Sequence, residues 1–202
     1  FLHDANRQMP LEGDLRFKEL KKQYAKGTEL TGKTLGIVGM GRIGVEVAKL
    51  AIGVGMKVVM YNHRPKVVDV AIDFFDGQQV SFSFKSVEME TLLKEADFVT
   101  LHVPSQGKYI IGASEIEQMK KGVGIINTAR GDVLDEVALI NAIEAKKVAY
   151  AGLDVFEKEP TPEIQILMNP ELSLSPHIGG STIEAQDRIG KELADQISNL
   201  LK

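Results

Sequence analysis

The run Thr34-Leu35-Gly36-Ile37-Val38-Gly39-Met40-Gly41-Arg42-Ile43-Gly44 decides the fold. Five residues of strand-like apolar character lead into three glycines at G-x-G-x-x-G spacing. Beyond them Ile43, Val47, Leu50 and Val54 recur at helical spacing, opposite Arg42, Glu46 and Lys49. Glycines in such a run by themselves mark only a tight turn. Between a strand and a helix they form the fingerprint of a dinucleotide-binding βαβ unit. Gly39 permits the turn, Gly41 lets the backbone approach a pyrophosphate, and Gly44 lets the helix pack closely on the strand. The helix amino terminus, with Arg42 and Ile43 in its first turn, then presents unpaired N–H groups to the phosphates.

Working outward, strand-like runs alternate with helical patterns: Thr34 to Val38, Lys57 to Tyr61, Val80 to Phe84, Phe98 to Val103, Val123 to Asn127, Tyr150 to Val155 and Leu172 to Ser175. This alternation predicts parallel βαβ units, hence an α/β, Rossmann-type, doubly wound parallel sheet with helices on both faces. Residues 1–33 are polar, with helical potential from Leu15 to Tyr24, and read as a connecting helix and loop. Residues 34–180 are the dinucleotide-binding domain. Residues 181–202 form a last helix, with Ile189, Leu193, Ile197 and Leu200 on one face, started by the capping box Ser181-Thr182-Ile183-Glu184. Both amphipathic helices are expected to pack on a sheet or a partner helix.

The second strand departs from the fingerprint. An acidic residue is expected about 20 positions beyond the glycines to hold the adenosine ribose, but the strand ends Tyr61-Asn62-His63-Arg64-Pro65. Asn62 is able to bond ribose hydroxyls without repelling a 2′-phosphate, and His63 and Arg64 suit one. NADP is therefore an alternative to NAD.

Three runs in the second half carry the equipment for chemistry: Asn127-Thr128-Ala129-Arg130-Gly131, Asp154-Val155-Phe156-Glu157-Lys158-Glu159-Pro160, and Ser175-Pro176-His177-Ile178-Gly179-Gly180. Each follows an apolar strand-like run, the place where open α/β sheets bind ligands. The planar fork of Arg130 suits bidentate contact with a carboxylate. Glu159, before a proline, is biased to extended backbone. A histidine beside a carboxylate has its charged form favoured, which makes it usable as acid and base near neutral pH. Taken singly, Arg130 is equally a surface salt-bridge residue, Glu159 a solvated loop carboxylate and His177 a structural residue ahead of a helix. Together on successive strand ends they form a catalytic set. Ser181 reads as a helix cap rather than a nucleophile.

Composition narrows the rest. The 202 residues are 44% hydrophobic and 26% charged, with net charge -4, which argues against nucleic acid or an anionic membrane as partner and for a small molecule. The absence of cysteine excludes disulfides, cysteine-held zinc and a thiol nucleophile, and no metal is expected. Charges at Arg42, Glu46, Lys49 and Lys57 interrupt the most apolar region, so no membrane span is expected. A cytoplasmic location follows as an expectation. The chain starts at Phe1 with no signal-peptide layout and reads as a piece of something longer.

The glycine loop, Leu101-His102-Val103-Pro104 and the three later runs, in that order, make nearly the whole chain resemble the cofactor domain of the D-isomer-specific 2-hydroxyacid dehydrogenases. The tail Gly179 to Gln186 is most similar to their D-3-phosphoglycerate dehydrogenase branch. The resemblance implies NAD as cofactor. It also implies Arg130 as anchor of the substrate carboxylate, His177 as general acid/base and Glu159 as its orienting partner. Asp154 would hold the nicotinamide, Thr128 and Ala129 its wall, and His102, Val103 and Pro104 its pocket, with Gly179 and Gly180 nearby. For His102 the residue type alone leaves a merely buried strand-end histidine equally open. It further implies a homodimer through the cofactor domain and a substrate domain largely outside this chain. The activity implied is oxidation of a D-2-hydroxy acid, 3-phosphoglycerate foremost. The alternatives are an NADPH-linked glyoxylate or hydroxypyruvate reductase and a non-enzymatic, corepressor-like dinucleotide sensor.

Overall fold

The computed structural model describes residues 2–25 and 27–201. Six of the expected strands form one parallel sheet: β1 (Thr34–Val38), β2 (Lys57–Tyr61), β5 (Phe98–Leu101), β6 (Val123–Asn127), β7 (Val148–Leu153) and β8 (Leu172–Leu174). Their order across the sheet is β2-β1-β5-β6-β7-β8, so the winding reverses between β1 and β5. Because every pairing is parallel, all the carboxyl ends lie on one edge.

The reversal strand explains why both faces need cover. In β1, Leu35 and Ile37 enter a core with Met40, Ala48, Ala51, Met60 and Val70. Val38 enters the larger opposite core with Leu92, Leu101, Ile125 and Leu139. The larger core is closed by α4 (Met89–Glu95), α5 (Ala113–Gln118) and α6 (Glu136–Glu144), and the smaller by α3 (Arg42–Gly53). The α/β, Rossmann-type architecture with helices on both faces is thus present.

Three local expectations are corrected. Val80 to Phe84 is not a strand of the parallel sheet. It lies in β4 (Gln79–Lys85), which pairs antiparallel with β3 (Val67–Asp73) in a separate two-stranded sheet. Val68, Val70, Ile72, Val80, Phe82 and Phe84 share one side of that hairpin, and Val70 is fully buried, so its apolar alternation serves packing against α3. Second, α3 buries its small residues Gly44, Ala48 and Ala51 and turns Ile43, Leu50 and Val54 outward, at 65%, 72% and 50% exposure. Close approach of helix to strand needs small residues; counting only large apolar ones selects the wrong face. Third, the cap of α8 (Ile183–Leu200) is Thr182, whose hydroxyl accepts from Ala185 N, not Ser181. None of the residues of α8 is buried, and its stripe Ile189, Leu193, Ile197 and Leu200 stays exposed.

Ahead of the sheet run α1 (Leu2–Glu12), which the sequence reading did not anticipate, and α2 (Phe17–Gln23), inside the predicted helical stretch. The remaining helix is the short α7 (Ile164–Leu167) between β7 and β8. No helix among the described residues is long and apolar enough to cross a membrane.

Candidate active site

At the reversal point the glycine loop is squeezed from two sides. Gly39 has φ +113°, and a Cβ there would lie 2.3 Å from His102 O; a Cβ on Gly44 would lie 2.1 Å from Gly39 O. Any side chain at either position would force the loop off β5 or the helix off the strand. Gly41, by contrast, faces open space and begins α3 with no side-chain cap. An uncapped helix amino terminus behind an open backbone cradle fits a pyrophosphate. The residues present therefore fit a bound dinucleotide.

The second wall of that groove is His102-Val103-Pro104. His102 is half-buried, its N–H donates to Val38 O, and Nε2 lies 3.0 Å from Thr100 Oγ1. Burial pushes its imidazole below the usual range, toward the neutral form. Arg42 is turned away from the cradle: its guanidinium forks onto Glu192 of α8, with Nη1–Oε1 at 2.8 Å and Nη2–Oε2 at 3.0 Å. Ile43 is exposed beside it.

At the end of β2 Asn62 acts first as a brace. Its Oδ1 accepts from Met40 N in the glycine loop at 3.3 Å, and its Nδ2 donates to Arg64 O at 2.9 Å. His63 and Arg64 are exposed. Lys66, which the sequence reading did not single out, donates from Nζ to Met40 O at 2.8 Å, which sets a cationic side chain against the loop.

After β6, Asn127 is 1% exposed and shapes the turn that follows: Oδ1 accepts from Ala129 N at 3.0 Å and Nδ2 donates to Arg130 O at 2.8 Å. Thr128 is left exposed, Ala129 buried and Arg130 exposed, its Nη1 donating to Ala129 O at 2.5 Å. Asp132 accepts from Ser105 Oγ at 2.6 Å and from Gly107 N at 3.2 Å, tying the loop after β5 to this turn.

After β7, Asp154 is 4% exposed. Its carboxylate accepts from Ser175 Oγ at 2.6 Å, Ile178 N at 2.9 Å and Gly179 N at 2.7 Å, so it builds the turn that carries His177. Burial works against its charge, but those hydrogen bonds and the neighbouring His177 outweigh it and hold the carboxyl below the usual range. His177 sits in that turn at φ +54°, a left-handed conformation, with its N–H on Asp154 O at 2.8 Å. Its Nδ1 lies 2.8 Å from Glu159 Oε2, and Glu159 Oε1 accepts from Phe156 N at 3.0 Å. The His177 bond, followed by the Phe156 bond, holds the Glu159 carboxyl below its usual range. An ionised carboxylate only accepts, so Nδ1 carries the proton and Nε2 is left as a base. A cavity of about 450 Å³ opens beside the pair, walled by Phe156, Pro160, Leu174 and Pro176.

The predicted residues therefore fall on one sheet edge, with the His177–Glu159 pair in direct contact. The sequence reading missed the bracing residues Lys66, Asp132 and Glu136, and gave Asn127 no role. For Asn127 a signal existed, since a polar residue closing the apolar run Val123 to Ile126 must find partners when buried.

Residues 2–179 match the model of the D-isomer specific 2-hydroxyacid dehydrogenase NAD binding domain. The chain is 44% identical to a hydroxypyruvate reductase of Thermotoga maritima over 182 residues, 88% of this chain and 56% of that protein. It is 41% identical to a D-3-phosphoglycerate dehydrogenase of Archaeoglobus fulgidus, over 98% of this chain and 37% of that protein. Among solved structures, a glyoxylate reductase from Paecilomyes thermophila superposes with a TM-score of 0.73 at 38% identity, covering 94% of this chain and 56% of that one. The chain thus spans about half or less of the length of these relatives.

Proposed function

The chain belongs to the D-isomer-specific 2-hydroxyacid dehydrogenases as their NAD-binding domain, and from that premise we propose that it serves NAD-linked oxidation of a D-2-hydroxy acid, with 3-phosphoglycerate going to 3-phosphohydroxypyruvate in serine biosynthesis. The observation that carries the reading is the His177–Glu159 pair at the carboxyl edge of the sheet, beside the turn that presents Arg130. Bound nicotinamide supplies the hydride acceptor. Arg130 pairs with the substrate carboxylate and orients the hydroxyl carbon. Neutral His177 takes the hydroxyl proton at Nε2, while Glu159 holds Nδ1 and stabilises the imidazolium as it forms. In reduction the same imidazolium returns the proton.

The test is turnover by the full-length polypeptide on a panel of 2-hydroxy and 2-keto acids with each cofactor. Strong preference for 3-phosphoglycerate and NAD supports the reading; indifference to it sinks the substrate assignment. The 202-residue chain alone is expected to bind the dinucleotide and to leave hydroxy acids unoxidised, since catalysis of this kind needs a closed, dry cleft. Robust turnover by this chain would show the substrate site to be misassigned.

A second reading, an NADPH-linked glyoxylate or hydroxypyruvate reductase, is favoured by one observation. Asn62 is braced to the backbone where a carboxylate is expected, His63 and Arg64 follow it, and Lys66 bonds the same Met40 backbone. Dissociation constants for NAD and NADP separate the two; clear preference for NADPH selects the reductase.

A further inference from the structure

The loop that carries Glu159 is held from below by a carboxylate that belongs to another strand's connection. Glu136 opens α6, nine residues past the end of β6, and is 7% exposed. Its Oε1 accepts from Glu157 N at 2.9 Å, and Glu157 Oε1 returns the contact by accepting from Glu136 N at 2.9 Å. The other Glu157 oxygen accepts from Tyr109 OH at 3.1 Å, which brings in the loop after β5. Just upstream, Gly131 lies so close to the same loop that a Cβ on it would sit 1.9 Å from Phe156 O. Phe156 and Glu157 are thus clamped by the Arg130 segment on two sides. Phe156 N is also the donor that holds Glu159 Oε1, while Glu159 Oε2 takes His177 Nδ1. A continuous set of bonds runs from Glu136 through the Glu157 and Phe156 backbone to Glu159 and His177.

Burying a carboxylate is costly, and two carboxylates this close repel, so a purely structural clamp is more cheaply made by a neutral side chain. Burial accordingly pushes the Glu136 carboxyl above its usual range, only partly offset by the Glu157 N–H. What the reciprocal pair provides is a fixed position for two successive amides, the Glu157 N–H donating to Glu136 and the Phe156 N–H aimed at Glu159. We propose that Glu136 is a positioning residue of the acid–base pair: by fixing the Phe156-Glu157 backbone it aims Glu159 at Nδ1 and keeps His177 in the tautomer whose Nε2 is a base. The proposal deepens the dehydrogenase reading and rests on it for its catalytic meaning.

Its test needs neither turnover nor cofactor, so its failure is distinguishable from failure of that reading. Long-range ¹H–¹⁵N correlation of the His177 imidazole in the 202-residue chain, at a pH where the ring is neutral, reads the tautomer directly. Wild type is expected as Nδ1–H, and Glu159→Gln, the control, should change the signal. Glu136→Ala is expected to shift His177 to mostly Nε2–H, the form a free histidine side chain favours. Glu136→Asp, one methylene too short to reach Glu157 N, should do the same and carries the test if the alanine variant does not fold. Glu136→Gln retains the acceptor oxygen and should keep the wild-type tautomer. A merely structural role predicts faster amide exchange at Glu157 with the His177 tautomer unmoved; that outcome in a folded Glu136→Ala or Glu136→Asp chain overturns the proposal. A shift in Glu136→Gln as large as in Glu136→Ala overturns it too.

Discussion

Around Asp154, Glu159 and His177 the side chains are bonded across two neighbouring loops, whereas after β2 His63 and Arg64 are exposed ahead of the hairpin. The first region is over-determined: Asp154 alone fixes three donors of the His177 turn. The second is more open: Asn62 and Lys66 are tied to Met40, while the side chains of His63 and Arg64 are exposed. The difference follows from what each region is asked to do. Proton transfer fails when the base is misplaced by an ångström, so its groups require supporting bonds. Recognition of a phosphate by charge tolerates looser geometry, so exposed cations suffice at that end of the sheet.

If that contrast is right, the largest effect belongs to His177→Ala. In the full-length polypeptide it should lose about 10² to 10⁴-fold in kcat in both directions, the usual worth of a general acid/base. A loss confined to KM would place His177 outside the chemistry.

Next comes Asp154→Asn, expected to destabilise the chain at pH 7 by about 3 kcal/mol, since it weakens three bonds to a buried charge; urea unfolding measures it. Because the folded-state carboxyl lies below its usual value, the stabilisation is present above about pH 3.9, the unfolded reference, and is lost as pH falls through the folded value. The gap between wild type and variant should therefore shrink only in strong acid. A gap constant with pH would mean the charge is idle.

Glu159→Gln sharpens the comparison further. Glu159 holds Nδ1 of the proposed base, so Glu159→Gln should lower kcat about tenfold in both directions with KM little changed. An unchanged kcat would leave Glu159 as a solvated loop carboxylate.

The smallest effect is expected on the open side. Lys66→Met should weaken NADP about threefold to fivefold, within the range of an exposed ion pair, and leave NAD binding nearly unchanged. An equal loss for both cofactors would assign Lys66 to loop support alone.

The same contrast governs what could be read in the sequence. Apolar strand runs ending in a single functional residue gave Arg130, Glu159 and His177 their places, because β-strand period and strand-end chemistry are local properties. The glycine loop was equally legible, since strand and helix flank it. The hairpin was not: Val80 to Phe84 has the alternation of a half-buried strand whatever it pairs with, and nothing local says that its neighbour runs antiparallel from Val67. The packed face of α3 was misread because Gly44, Ala48 and Ala51 carry no hydrophobic bulk. Glu136 was invisible for a different reason. Its partner lies 21 residues on, and a glutamate opening a helix looks like an ordinary dipole companion.

The left-handed backbone at His177 has a consequence for the molecule's resilience. A non-glycine residue at φ +54° carries roughly 1 kcal/mol or more of strain, and the half-exposed bond to Glu159 returns little of it. Replacing His177 with glycine should therefore give a chain that melts higher and lacks the proposed base. At this one position the fold and the proposed chemistry want different residues, and a selection for thermal tolerance alone would remove the imidazole first.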